Sequence, residues 1–149
     1  MDVIIFCGIQ ATGKSSFYQR NFFRTHVHIS MDLLKTRYRE MKFVDVCIDT
    51  FQSFVVDNTN PTVSDRAKYI HKVRDIKDCR IIGYYFQSKL DDALERNKSR
   101  IGKENIPDIG IRATYNKLEL PSFGEGFDEL YYVTLVNGEF NVTEWKDEI

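Results

Sequence analysis

Residues 2–16 read DVIIFCGIQATGKSS, and this stretch decides the fold. Val3, Ile4, Ile5 and Phe6 form an apolar run of the length of one buried strand. The run ends in Gly8-x-x-x-x-Gly13-Lys14-Ser15, and Ser15 to Phe23 then predict a helix. Strand, glycine-bounded loop and helix in that order make a phosphate cradle. Glycines let the chain wrap tightly, so that backbone N–H groups from Gly8 through Ala11, Thr12 and Gly13 to Ser16 point inward at phosphate oxygens. Lys14 supplies a point charge, and the Ser15 hydroxyl suits Mg²⁺ or Mn²⁺. The helix N-terminus adds its partial positive charge. The four fixed positions coincide by chance in roughly one chain of this length in two hundred. A glycine turn with a surface lysine is the bland alternative, and it leaves the flanking strand and helix unexplained. The stretch predicts binding of a nucleoside triphosphate, ATP or another.

The remaining composition bounds the answer. A chain of 149 residues with 42% apolar and 29% charged residues fits one globular domain over 1–149 with one sizeable core. No apolar run approaches the roughly 20 residues of a membrane span, and the opening segment lacks the layout of a signal peptide. Cys7, Cys47 and Cys79 are odd in number and lack metal-ligand spacing, so free thiols in a cytoplasmic setting are expected. A net charge of −1 gives no global basic footprint, which disfavours a tight non-specific nucleic-acid binder and leaves room for a local patch.

Strands and helices alternate along the chain. Val27 to Ile29 is a short extended piece, and Asp32 to about Lys42 and Val44 to Phe51 read as helical. Phe54 to Asp57 is a second buried strand, followed by a helix from Ser64 to Ile76 opening on a serine cap. Arg80 to Phe86 is a third, followed by a helix from Leu90 to about Ser99, a polar loop at 101–107 and a helix from Pro107 to Leu118. Asn137-Gly138 between Tyr131–Val136 and Glu139–Thr143 signals a hairpin. The pattern predicts an α/β fold: a parallel sheet with helices on both faces and a C-terminal β-hairpin. Phe22, Phe23, Tyr84 and Phe86 are expected in the core, and Trp145 is expected to pack the hairpin against the body.

Ligands of such sheets gather at the carboxyl ends of the strands. Asp32 in HISMD and Asp57 in FVVDNTNPT fall there, and Arg96 and Arg100 lie four residues apart on the helix after the third strand. Phosphoryl transfer asks for these parts: a cradle, a base and cations. The bland readings are a helix cap for Asp32, a turn for Asp57 and a solvated face for the arginines. His26 and His28 read as an exposed strand edge and His71 as surface. A base could stack on Tyr18, Tyr38 or Tyr115, with nothing in the sequence to choose among them.

GIQATGKSSFY, HISMD, FVVDNTNPT, ALERNKSR and LPSFGEGFDEL, in this order, resemble the 5′-kinase domain of polynucleotide kinases. The similarity runs from about Val3 to Tyr132 and is closest to the bacterial end-healing kinases fused to an HD phosphohydrolase domain. The Asp-Asn-Thr-Asn-Pro string is its most diagnostic part. The resemblance implies a three-layer P-loop kinase fold and transfer of the γ-phosphate of ATP to a 5′-hydroxyl end of DNA or RNA, with Mg²⁺. It implies that Lys14 and Ser15 serve the phosphates and metal, and that Asp32 is the general base. A carboxylate is a weak base, but it need only accept the proton as the new bond forms. Arg96 and Arg100 correspond to arginines of a lid, here about 96–107, that closes over the phosphates. Asp57, with Asn58 and Thr59, corresponds to the acceptor site. Three residues after the base, several members carry an arginine that clamps the acceptor phosphate; here Lys35 stands, with Arg37 two residues on. Lys35, Arg37, Arg39 and Lys42 are expected to form a positive groove within two turns of one helix. No phosphatase or ligase module accompanies the kinase segment, so such partners are expected on separate chains. The competing readings are a kinase of a small-molecule hydroxyl (a nucleoside or sugar) and a nucleotide-binding switch without transfer.

Overall fold

Alternation along β1 (Asp2–Cys7) sends its side chains into two different cores. The computed structural model describes residues 1–146. Val3 and Ile5 join a cluster with Val44 and Cys47 of α3 (Arg37–Asp49) and with Tyr69, Ile70 and Val73 of α4 (Val63–Val73). Ile4 and Phe6 join another with Phe17 and Tyr18 of α1 (Lys14–Asn21). Each fully buried side chain of this size contributes about 1.5–3 kcal/mol, so both faces of the strand hold it in place.

β2 (Val27–Ile29), β3 (Phe54–Val56), β4 (Arg80–Phe86), β5 (Glu129–Val136) and β6 (Glu139–Glu144) complete a six-stranded sheet in the order β2-β3-β1-β4-β5-β6. Pairings from β2 to β5 are parallel and the β5–β6 pairing is antiparallel. The chain leaves β1 for α1 on one face and β3 for α4 on the other. Between these neighbours a crevice opens at the carboxyl edge, the place where ligands of open α/β sheets bind. α5 (Leu90–Lys98) and α6 (Asp108–Lys117) close a third cluster, Ile9, Ala11, Ala93 and Ile111, against the phosphate-binding loop.

Most predicted elements appear, and the differences have local causes. The helix expected from Asp32 is broken: a one-turn α2 (Met31–Leu34) ends at Lys35, whose φ is 71°, and α3 starts afresh with the Thr36 hydroxyl accepting from the Arg39 N–H at 3.2 Å. Lys35 therefore does not share a helix with Arg37, Arg39 and Lys42. The second supposed helix, from Val44, is the remainder of α3. α4 is capped by Thr62, which forms a capping box with Asp65, and not by Ser64. Arg100 lies beyond the end of α5, so it does not lie on one helix face with Arg96. α1 stops at Asn21; Phe22 turns inward and Phe23 stands 69% exposed, contrary to the core expectation. The hairpin turns at Asn137 (φ 52°) and Gly138 (φ 76°), the pair of positive dihedrals that Asn-Gly favours. Trp145 packs edge-on against Tyr85, joining the hairpin to the body as expected.

Candidate active site

The loop after β1 is held from all sides. Ile9 N–H donates to the Ser88 hydroxyl at 3.0 Å, and the Gln10 amide donates to Thr114 at 3.0 Å. Gly8 runs so close to β4 that a Cβ there would stand 3.0 Å from the Phe86 carbonyl oxygen. Gly13 has φ 93°, and a Cβ would meet the Phe140 ring at 2.8 Å. The glycines of the motif thus serve close approach and a left-handed turn. Lys14 is buried, and its ammonium donates to the carbonyls of Gly8 at 3.0 Å and Ile9 at 2.6 Å. Burial lowers its pKa to about 8, opposed chiefly by the Asp57 carboxylate. Asp32 and Arg100 also act electrostatically on this ammonium, so the fold brings three of the expected site residues into its field.

Asp57, Asn58, Thr59 and Asn60 of the DNTNP string each bond a different neighbour. The Ser15 hydroxyl donates to Asp57 Oδ2 at 2.8 Å. Asn58 Oδ1 accepts from the Met31 N–H at 2.9 Å, and Asn58 Nδ2 donates to Glu40 at 2.7 Å. The Thr59 carbonyl accepts from the Gly8 N–H at 2.9 Å. Asn60 donates to the Phe6 carbonyl at 2.8 Å. Asn58 thereby fixes the start of α2, and with it Asp32, whose side chain is exposed beside the crevice and makes no hydrogen bond among the described residues. Among the described residues Thr59 hydrogen-bonds through its backbone only.

The basic residues divide. Arg96 donates to the carbonyls of Ala11 at 3.3 Å and Leu135 at 3.2 Å, bracing the loop against the hairpin. Arg100 is half-buried and donates to the Glu104 carbonyl at 3.2 Å. Arg37 pairs with the fully buried Glu40 at 3.0 Å while its side chain stays 55% exposed; Lys35 is exposed. Ser16 is exposed on α1. Of the suggested stacking residues, Tyr18 is buried and already stacked, 4.0 Å from the His28 ring, whereas Tyr38 and Tyr115 are exposed.

Several polar residues that bond the DNTNP string are not evident from sequence. Glu40 accepts from Arg37, Asn58 and the Tyr69 hydroxyl, and burial next to Glu40 pushes the Tyr69 phenol pKa well up. Arg66, fully buried, pairs with Glu125 at 2.8 Å and donates to the Asn60 carbonyl at 2.9 Å and Cys7 Sγ at 3.4 Å. Their signal is a charge on an apolar stripe: 40, 44, 47 on α3 and 66, 69, 70, 73 on α4. His28 is no plain strand edge, since its Nε2 lies 2.7 Å from Asp57 Oδ2.

The donor set fits a hard cation. Among the described residues no group of three or more His, Cys, Asp or Glu side chains could hold a metal ion. A hydroxyl and a carboxylate 2.8 Å apart at the mouth of a phosphate loop suit Mg²⁺, which keeps waters and takes its other ligands from substrate phosphates. No helix among the described residues is long and apolar enough to cross a membrane.

No protein-family model matches the chain. It is similar to a bifunctional polynucleotide phosphatase/kinase of Schizosaccharomyces pombe, 24% identical over 130 residues, covering 85% of this chain and 32% of that protein. A protein of Acanthamoeba polyphaga mimivirus, provisionally assigned the same pair of activities, is 27% identical over 140 residues, covering 89% and 33%. The chain thus spans about a third of the length of the curated relatives it matches. Among solved structures it superposes on the Pnkp1/Rnl/Hen1 RNA repair complex with a TM-score of 0.63 at 18% identity, covering 78% of this chain and 43% of that one. A gluconokinase from Sinorhizobium meliloti gives 0.59 at 17%, covering 89% and 82%.

Proposed function

We propose that this P-loop kinase fold, related in sequence to polynucleotide phosphatase/kinases, transfers the γ-phosphoryl group of ATP or another nucleoside triphosphate to the 5′-hydroxyl end of DNA or RNA. The observation that carries the reading is Asp32: an exposed carboxylate free of hydrogen bonds among the described residues, anchored through Asn58 and lying in the field of Lys14. A switch that only senses nucleotide needs no such base.

The new bond joins the 5′-oxygen to the γ-phosphorus, and the bond from that phosphorus to the β–γ bridging oxygen breaks. The 5′-hydroxyl proton goes to Asp32, and a nucleoside diphosphate departs. Loop N–H groups and Lys14 hold the donor's phosphates. Arg100, from the segment we assign as the lid (about 96–107), acts electrostatically on Lys14 and would supply positive charge to the transferring oxygens. Arg96 keeps the loop wall in shape. Ser15 and Asp57 would hold Mg²⁺, which when bound neutralises charge on the phosphates. Arg37, presented by Glu40, and Lys35 offer cationic groups to the acceptor's phosphates. A 3′-phosphatase or ligase acting on the same ends would complete an end-repair role.

The test is transfer of labelled γ-phosphate to 5′-hydroxyl oligonucleotides, with nucleosides and gluconate as controls, for wild type and Asp32→Asn. We expect oligonucleotide labelling that falls about 10²- to 10⁴-fold in Asp32→Asn while ATP affinity holds within about threefold. Label on small molecules and never on oligonucleotides would sink the polynucleotide reading.

A further inference from the structure

One carboxylate oxygen, Asp57 Oδ2, receives two hydrogen bonds, from residues of two different elements. The Ser15 hydroxyl reaches it at 2.8 Å and His28 Nε2 at 2.7 Å. The Asp57 side chain is 2% exposed, and a buried carboxylate without donors would be costly to keep ionised. Among the described residues no hydrogen bond reaches Oδ1. The imidazole is in turn held flat: the Tyr18 ring stacks on it at 4.0 Å with 11° between planes, and the Tyr18 hydroxyl donates to the His26 carbonyl at 2.7 Å.

The sequence arranges this by two periodicities. Ser15 and Tyr18 lie one turn apart on α1 and face the same strand pair. His28 on β2 registers with Val55 on β3, whose side chain lies in the core beneath α1, so His28 projects toward α1 as well. Asp57 follows β3, its N–H donating to the Ile29 carbonyl at 2.8 Å.

We propose that His28 is a positioning residue for the metal–nucleotide site. Its Nε2–H pins Oδ2 beside the Ser15 hydroxyl, which leaves Oδ1 to face the metal's hydration shell, and Tyr18 pins the imidazole. The inference rests on the reading that Ser15 and Asp57 serve a divalent cation, and it does not depend on which acceptor is phosphorylated. A partner that orients a metal-linked carboxylate typically matters about 10- to 100-fold in metal affinity.

The variants separate the two things His28 does. His28→Phe keeps a ring over Tyr18 and removes the donor, whereas His28→Gln places an amide N–H near the reach of Nε2. ATP affinity is measured by calorimetry across a Mg²⁺ titration, without acceptor, and Mn²⁺ binding is measured by electron paramagnetic resonance. We expect His28→Phe to raise the half-saturating Mg²⁺ concentration about 10- to 100-fold, with ATP affinity in the absence of divalent cation unchanged. His28→Gln should recover most of this, and in an Asp57→Asn background His28→Phe should add nothing. An unchanged Mg²⁺ requirement in His28→Phe, or a Gln variant no better than the Phe variant, would overturn the proposal. So would wild-type nucleotide binding indifferent to Mg²⁺. Should His28→Phe not fold, Tyr18→Leu, which frees the imidazole and keeps both hydrogen-bonding groups, decides the matter: a rise of about threefold or more supports coupling and none refutes it. If the Mg²⁺ effect holds while no oligonucleotide is labelled, the acceptor reading alone fails.

Discussion

Arg66→Met removes the fully buried guanidinium that pairs with Glu125. Four contacts go: Glu125 Oε1 at 2.8 Å, Glu125 Oε2 at 3.1 Å, the Asn60 carbonyl at 2.9 Å and Cys7 Sγ at 3.4 Å. Among the described residues Glu125 keeps one donor, the Ser122 N–H at 2.8 Å, and its side chain is only 6% exposed. Breaking a buried pair from one side costs about 3–5 kcal/mol, because a charge stays behind. The orphaned Asn60 carbonyl adds about 1 kcal/mol. The expected loss at pH 7 is about 4–5 kcal/mol, or about 10–15 °C in Tm for a chain of this size. Urea unfolding followed by circular dichroism at pH 7 measures it. Adding Glu125→Gln should recover about 2 kcal/mol or more. A loss under about 1.5 kcal/mol, or no recovery in the double variant, would show that the pair does not brace the fold.

Lys14 makes nucleotide binding pH-dependent. Its free pKa is about 8, and bound phosphates raise it, so above pH 8 the complex holds more protons than the free protein. ATP affinity should fall toward tenfold per pH unit between about pH 8 and 9.5, and calorimetry in two buffers should show proton uptake at about pH 9 and little at about pH 7. A flat affinity over that range would contradict the assignment. Gly13→Ala forces an L side chain to φ 93° and into the Phe140 ring 2.8 Å away. It should lower ATP affinity at least about tenfold and stability by about 1–2 kcal/mol, read by calorimetry and urea unfolding, and a variant with wild-type affinity would mean that the loop tolerates a second shape.

What the sequence disclosed was local, and what it concealed was long-range. The phosphate loop announces itself because strand, turn and helix are contiguous and each residue's task follows from its own chemistry. The Asn137-Gly138 turn is legible for the same reason. The break at Lys35 is not, because apolar spacing runs on through Thr36 and only the cap geometry reveals a fresh start. Glu40 and Arg66 are legible only as anomalies. Periodicity says that their face is buried, but their partners come from elsewhere: Glu125 lies 59 residues from Arg66, and Asn58 lies 18 from Glu40. His28 looks inert in the sequence because its meaning depends on the register of β2 against β3. These concealed residues converge on the visible ones. Glu40 holds Asn58, Asn58 holds Met31, and Asp32 follows; Arg66 holds Asn60, beside the Thr59 carbonyl that anchors Gly8. The DNTNP string is therefore the common frame on which the phosphate loop and Asp32 are both hung. A substitution in its buried supports should disturb nucleotide binding and transfer together, whereas one in Asp32 should separate them.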